Sequence, residues 1–240
     1  MSAIAPLSPT AALALAAYGG ADLWLKSRRL RAVVSASGWA FTLKRRPAFE
    51  RAEFECDIAR AHCRLTPIGR QAQVSGVLRD QDVELQDASG QALAQRRDAR
   101  RFFPFGRRTI WWDDLDMSWF ACYAFWNYLT LPRLLLNPEV GWSETAPGQL
   151  RAEFPAHIPT HSRHQRFDFD PASGLLRRHD YCADVVAPIA HAANVVLRHE
   201  CQNGLTFAAH RRVTPISPWR RALPAPVLVD IQVHELVLEG

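Results

Sequence analysis

The residue types best suited to proton transfer fall in one short run, His179-Asp180-Tyr181. Successive side chains of an extended strand alternate, so His179 and Tyr181 share one face and Asp180 takes the other. An imidazole titrates near neutrality, and beside a phenol it can take or give a proton on a bound molecule. If the strand from Leu175 pairs with the one from Asn194, His179 approaches His199 or Glu200. His161 is a third candidate for acid–base work, and no other catalytic residue is assigned. The same run also reads as a structural polar cluster that satisfies strand-edge groups.

A second group is aromatic: Trp111, Trp112, Trp119, Phe120, Tyr123, Trp126 and Tyr128. Trp and Tyr join an apolar ring to a polar handle, as the walls of ligand pockets and the interiors of cores both require. Trp119, Tyr123 and Trp126 fall along one broad face of a helix. The expected ligand-binding set is therefore Trp112, Trp119, Tyr123 and Trp126, facing His179 and Tyr181 across an apolar pocket.

Metal chemistry has less to stand on. His157, His161 and His164 are close in sequence, but Pro155 and Pro159 deny them a helix. In a strand His161 and His164 point to opposite sides, and no third ligand accompanies them. They read as surface or strand-edge histidines. Asp113-Asp114-Leu115-Asp116 resembles an aspartate-rich magnesium motif, yet it opens a helix, where carboxylates cap free N–H groups. No metal or cofactor is assigned. The chain has no G-x-S-x-G, P-loop, G-x-G-x-x-G or H-E-x-x-H, so hydrolase, nucleotide and zinc-protease readings have no support.

Composition narrows the classes further. The 240 residues are 48% hydrophobic and 22% charged, which excludes disordered and collagen-like chains. All but two of the 29 basic residues are arginine, and the formal net charge is +5. The pairs Arg96-Arg97, Arg100-Arg101 and Arg107-Arg108 read either as an anion dock or as a solvated face; without a nucleic-acid motif beside them, no nucleic-acid partner is expected. Five scattered cysteines match no zinc or redox spacing and predict free thiols in a reducing cytoplasm. The stretch MSAIAPLSPTAALALAAYGG has no positive region before its apolar part and reads as a first helix; the alternative is an export signal cleaved near Ala17.

A helix is expected from Thr10 to Ala17, with another turn over Asp22–Arg29. Strands follow at 30–44, 52–66, 71–79, 83–86 and 92–97. From Ile110 to Leu136 the period becomes helical, through Trp112, Leu115, Trp119, Cys122, Trp126 and Leu129. A second stripe of Phe120, Ala124 and Leu131 makes this helix apolar nearly all round, and so buried. Ser118, Asn127, Pro132 and Arg133 interrupt it as a membrane span. Strands resume at 149–154, 162–169, 175–185, 194–201, 205–215 and 227–238, with an Asn203-Gly204 hairpin turn.

This order resembles the half-barrel of bacterial lipoprotein carriers of the LolA and LolB type. The residues that carry the resemblance are the opening helix closed by Gly19-Gly20, Trp24, the strand from Leu30, the inserted apolar helix, and Phe167-Asp168-Phe169-Asp170 followed by Gly174-Leu175-Leu176. Thr160-His161-Ser162, Leu175–Tyr181 and Arg211-Arg212-Val213-Thr214-Pro215 look more like an uncharacterised family of bacterial cytosolic proteins, to which no activity attaches. The resemblance implies a shape, a curved sheet cupping an apolar cavity partly plugged by helix. The expected fold is thus α+β and mainly antiparallel β: a half-barrel of about nine to eleven strands around a central apolar helix, with an N-terminal helix, in one domain over 1–240. The expected partner is a hydrophobic small molecule or lipid bound in that cavity. The alternative is an enzyme that uses the same cavity with His179, Tyr181 and His161.

Overall fold

The structure is a computed structural model in which residues 7–240 are described; the first six residues of the expected N-terminal helical stretch lie outside them. Helix α1 (Pro9–Ala17) begins at Ser8, whose hydroxyl accepts the Ala11 N–H, and stops before Gly19, where φ is +100°. Helix α2 (Ala21–Lys26) buries Trp24, whose indole N–H donates to the Tyr18 carbonyl at 2.8 Å. Strand β1 (Arg29–Ser37) turns Leu30, Ala32, Val34 and Ala36 inward.

The strand expected over 30–44 ends at Gly38, and Trp39–Leu43 forms the short helix α3. Gly38 has φ +131°, and a Cβ there would lie 2.6 Å from the Leu228 carbonyl oxygen. Only glycine fits a corner of this shape. The stretch 52–66 is two strands, β2 (Phe49–Asp57) and β3 (His62–Thr66). Asp57 makes the break, its carboxylate accepting the N–H groups of Ala59 and Arg60. Strands β4 (Ser75–Arg79), β5 (Asp82–Gln86) and β6 (Ala92–Arg96) complete the first meander.

Two 3₁₀ turns, Ala99–Phe102 and Gly106–Thr109, lead into helix α4 (Asp114–Leu129). Asp113 caps it through a reciprocal box with Asp116. After Thr130 the chain enters the short helix α5 (Leu131–Leu134), with Pro132 in its first turn, where a missing N–H costs nothing. The second meander is β7 (Gly141–Ala146), β8 (Gln149–Glu153), β9 (His164–Phe169), β10 (Leu176–Cys182), β11 (His191–Gln202), β12 (Leu205–Pro215) and β13 (Val229–Glu239). Asn203 and Gly204 both have positive φ in the β11–β12 turn, as a two-residue hairpin requires.

The 13 strands of the described residues form one open antiparallel sheet in the order β6-β5-β4-β3-β2-β1-β13-β12-β11-β10-β9-β8-β7. The two meanders meet where β1 pairs with β13. The count exceeds the expected nine to eleven because 52–66 divides in two and because β7 gives no alternating signal. β7 is an edge strand with no fully buried side chain, so its sequence carries no period. Helix α4 lies on the sheet inside the curve and is buried along most of its length. It approaches β4 so closely that a Cβ on Gly76 would sit 2.6 Å from the Ser118 Cβ. No helix among the described residues is long and apolar enough to cross a membrane.

Candidate functional site

Helix α4 presses one face on β3–β5 and turns another toward β1, β13, β12 and β11. On that second face Met117, Phe120, Ala121, Ala124, Phe125 and Tyr128 recur at helical spacing. Opposite them stand Ala36, Ala192, Val213 and Ile231 from the sheet. The facing alanines are too short to meet, and a cavity of about 310 Å³ remains between helix and sheet. Its lining is almost wholly apolar. Leu43 and Ile189 line it while staying 46% and 84% exposed, so they mark its mouth. Tyr128 and Tyr181 are among its lining residues.

The hydroxyls of these two tyrosines belong to a buried polar cluster. The Tyr128 hydroxyl lies 2.7 Å from the Tyr181 hydroxyl and 2.7 Å from His161 Nε2, while the Tyr123 hydroxyl lies 3.2 Å from His161 Nδ1. A neutral imidazole has one N–H and one lone pair, so one tyrosine donates to His161 and the other accepts from it. The His161 and Tyr181 rings stack at 4.0 Å. His179 stacks on Phe167 at 4.1 Å, and its Nε2 lies 2.5 Å from Gln165 Oε1. Gln165 in turn donates to the Ser162 carbonyl.

Burial sets the ionisation of every member. It drives His161 down to about 3 and His179 well below the usual imidazole range. It lifts Tyr128 to about 12 and Tyr123 and Tyr181 well above the ordinary phenol. At neutral pH all of these side chains are uncharged.

The structure brings some expected site residues together and separates others. Trp112 and Tyr181 line the cavity. Tyr123 faces His161 rather than open space. Trp119 is wholly buried against Phe103, at 5.0 Å between rings. Trp126 is buried with its indole N–H on the Asp57 carbonyl at 2.9 Å. Neither of these tryptophans nor His179 reaches the cavity wall. The aromatic partner that does meet Tyr181 is Tyr128, on the stripe marked in the sequence by Phe120 and Ala124.

His179 does not approach His199 or Glu200. It pairs across the ladder with Asn194, because β10 runs beside only the first half of the long β11. His199 instead binds the Tyr18 hydroxyl at 2.9 Å. Nor is His161 a surface histidine: it is 1% exposed, whereas His157 and His164 face solvent. No cluster of metal-ligating side chains occurs among the described residues.

Four of the six paired arginines have internal partners, while Arg97 and Arg101 are exposed. Arg96, Arg107 and Arg108 converge on Asp116, which is fully buried, and Arg96 and Arg107 also bind Asp113. Burial raises the Asp113 carboxyl, but its bonds to Arg96 and the Asp116 N–H, with the charge of Arg107, outweigh this and hold it at about 2. Arg100 donates to the Thr160 carbonyl, next to His161. The cluster pins the loop before α4 to the start of the helix.

No protein-family model matches the chain, and neither does any curated protein. Among solved structures, a LolA superfamily protein from Nitrosomonas europaea matches over 98% of this chain and 95% of its own, with a TM-score of 0.52 at 6% identity. A DUF1329 family protein from Desulfovibrio piger matches over 97% and 93%, with a TM-score of 0.41 at 14% identity. The first match and the open, curved antiparallel sheet around an inserted helix give this chain the LolA-like fold.

Proposed function

We propose that the protein binds a hydrophobic small molecule or acyl chain in the cavity between α4 and the sheet, without transforming it. The observation that carries this reading is the cavity of about 310 Å³, apolar on nearly all sides and open at Leu43 and Ile189. Its size and lining suit a small apolar ligand. The LolA-like fold supports the reading by supplying a curved sheet with a helix inside.

Acid–base catalysis with His161, His179 and Tyr181 is the weaker reading. A general acid or base works best when it titrates near the working pH. Here burial moves both imidazoles down and the phenols up, away from neutrality. The unbroken ladder of strands supports one domain, and the five free thiols support a cytoplasmic setting. With Arg96, Arg107 and Arg108 paired internally, we propose no nucleic-acid partner.

The test joins native mass spectrometry to probe binding. Purified protein should carry acyl species, or bind an environment-sensitive apolar dye in the low micromolar range. Ala124→Trp, which fills the cavity, should weaken dye binding at least about tenfold while the circular dichroism spectrum stays unchanged. Equal dye binding by the folded variant would place the ligand elsewhere and overturn the reading.

A further inference from the structure

Arg211 of β12 is 3% exposed and is turned to the inner side of the sheet. One terminal nitrogen donates to the Tyr128 carbonyl at 3.1 Å, and the guanidinium lies 5.4 Å from the centre of the Tyr128 ring. Its Nε has no hydrogen-bond partner, and no carboxylate among the described residues pairs with it. The groups that feel its charge are Tyr18, Tyr128, Tyr181, His179 and His199, none of them an anion. The wholly buried Asn194 amide lies beside the Tyr128 hydroxyl.

A buried cation without a counter-charge is costly, and a buried polar group without a partner adds to that cost. This arrangement adjoins the cavity. Arg211 sits directly across the ladder from Ile231 and two residues before Val213, and both of those line it. Between Arg211 and the cavity stands Tyr128, a lining residue whose hydroxyl meets that of Tyr181, another lining residue. On the other side of Tyr128, a void of about 20 Å³ bordered by Tyr18 and Arg211 has room for a water-sized group.

We propose that the ligand is a monocarboxylate amphiphile of the fatty-acid class, its chain in the apolar cavity and its carboxylate against the Tyr128–Tyr181 hydroxyl pair, with Arg211 behind them as counter-charge. This rests on the hydrophobic-binding reading and names the head group that reading leaves open. With His161 Nε2–H donating to Tyr128, one hydroxyl proton joins the two phenols and the other is free to donate to a carboxylate oxygen, and the single positive charge of Arg211 matches a single negative one. A phosphomonoester, with up to two negative charges, would leave an excess anion buried.

The experiment is calorimetric titration of the full chain with dodecanoate, 1-dodecanol and dodecyltrimethylammonium, each below its micellar concentration. Dodecanoate should bind the wild-type protein at least about tenfold more tightly than dodecanol, as expected for a charge-assisted contact. The cation should bind most weakly. Arg211→Met should bring the acid and the alcohol to parity and leave the affinity for the alcohol unchanged. Equal wild-type affinities for acid and alcohol would overturn the carboxylate assignment while leaving apolar binding intact. Failure of all three to bind would overturn apolar binding as well. Should Arg211→Met not fold, the wild-type comparison of acid with alcohol decides alone.

Discussion

His161 shows how a single side chain couples the interior to pH. Unfolded, its imidazole takes up a proton near 6.5; folded and buried, it does so only at about 3. Between these values unfolding binds a proton, so stability falls as the solution is acidified through that window. For His161 alone the loss from pH 7 to pH 5 is about 2 kcal/mol, and His179 shifts in the same direction. Urea unfolding at the two pH values should show this loss, and His161→Phe should flatten the slope. An unchanged slope in that variant would mean that His161 is not the titrating group. His161, His179 and Tyr181 were legible as chemistry-bearing residues from type and local spacing. Their partners were not, because Tyr128 and Gln165 reach them through tertiary packing that no local period records. The buried state of His161 was hidden for the same reason: the prolines around it exclude a helix without saying which way the loop faces.

At the scale of elements, α4 is held by a close approach that only glycine allows. Gly76→Ala would push a methyl group into Ser118, which is fully buried and cannot retreat. The substitution should cost about 1–3 kcal/mol by overpacking, measured by chemical denaturation. Adding Ser118→Gly should recover most of the loss, and absence of recovery would mean that the contact is relieved by other means. The helix itself, its start at the aspartates and its end before Pro132 could be read from period and cap residues. Which face meets the sheet and which meets the cavity could not, because a helix apolar nearly all round gives no preferred direction. Trp119 and Trp126 mark the larger side chains, yet the cavity forms where Ala121 and Ala124 are small. A void is a property of facing pairs, and the facing residues lie on strands far away in the chain. Strand β7 was missed for the opposite reason, having no buried face to set an alternation.

At the scale of the molecule, all five cysteines are free, although Cys56 and Cys63 face each other across β2 and β3. Melting temperature should be the same with and without a reductant. A marked drop under reductant would show that the native protein carries a bridge, and would argue against the cytoplasmic setting. The half-barrel class and its inserted helix were legible from the succession of periods, since period two and period 3.6 are local signals. Strand order was not, because nothing local distinguishes a neighbour met by a hairpin from one met across the whole chain.

That last pairing bears on how the protein is made. Strand β13 follows the other twelve in the chain, yet its place is in the middle of the sheet, between β1 and β12. Until β13 emerges during synthesis, β1 and β12 are both unpaired edges, and the nascent chain holds two separate half-sheets. The pairing of Arg29 with Glu239 spans nearly the full length, so its closure is entropically slow. Val229 and Ile231, which complete the cavity wall, arrive with that strand. The pocket wall is therefore complete only once β13 has paired. A ligand present at that moment would bind only the finished sheet and draw the equilibrium toward it. The interval before it is when this chain most needs protection from pairing with its neighbours on the ribosome.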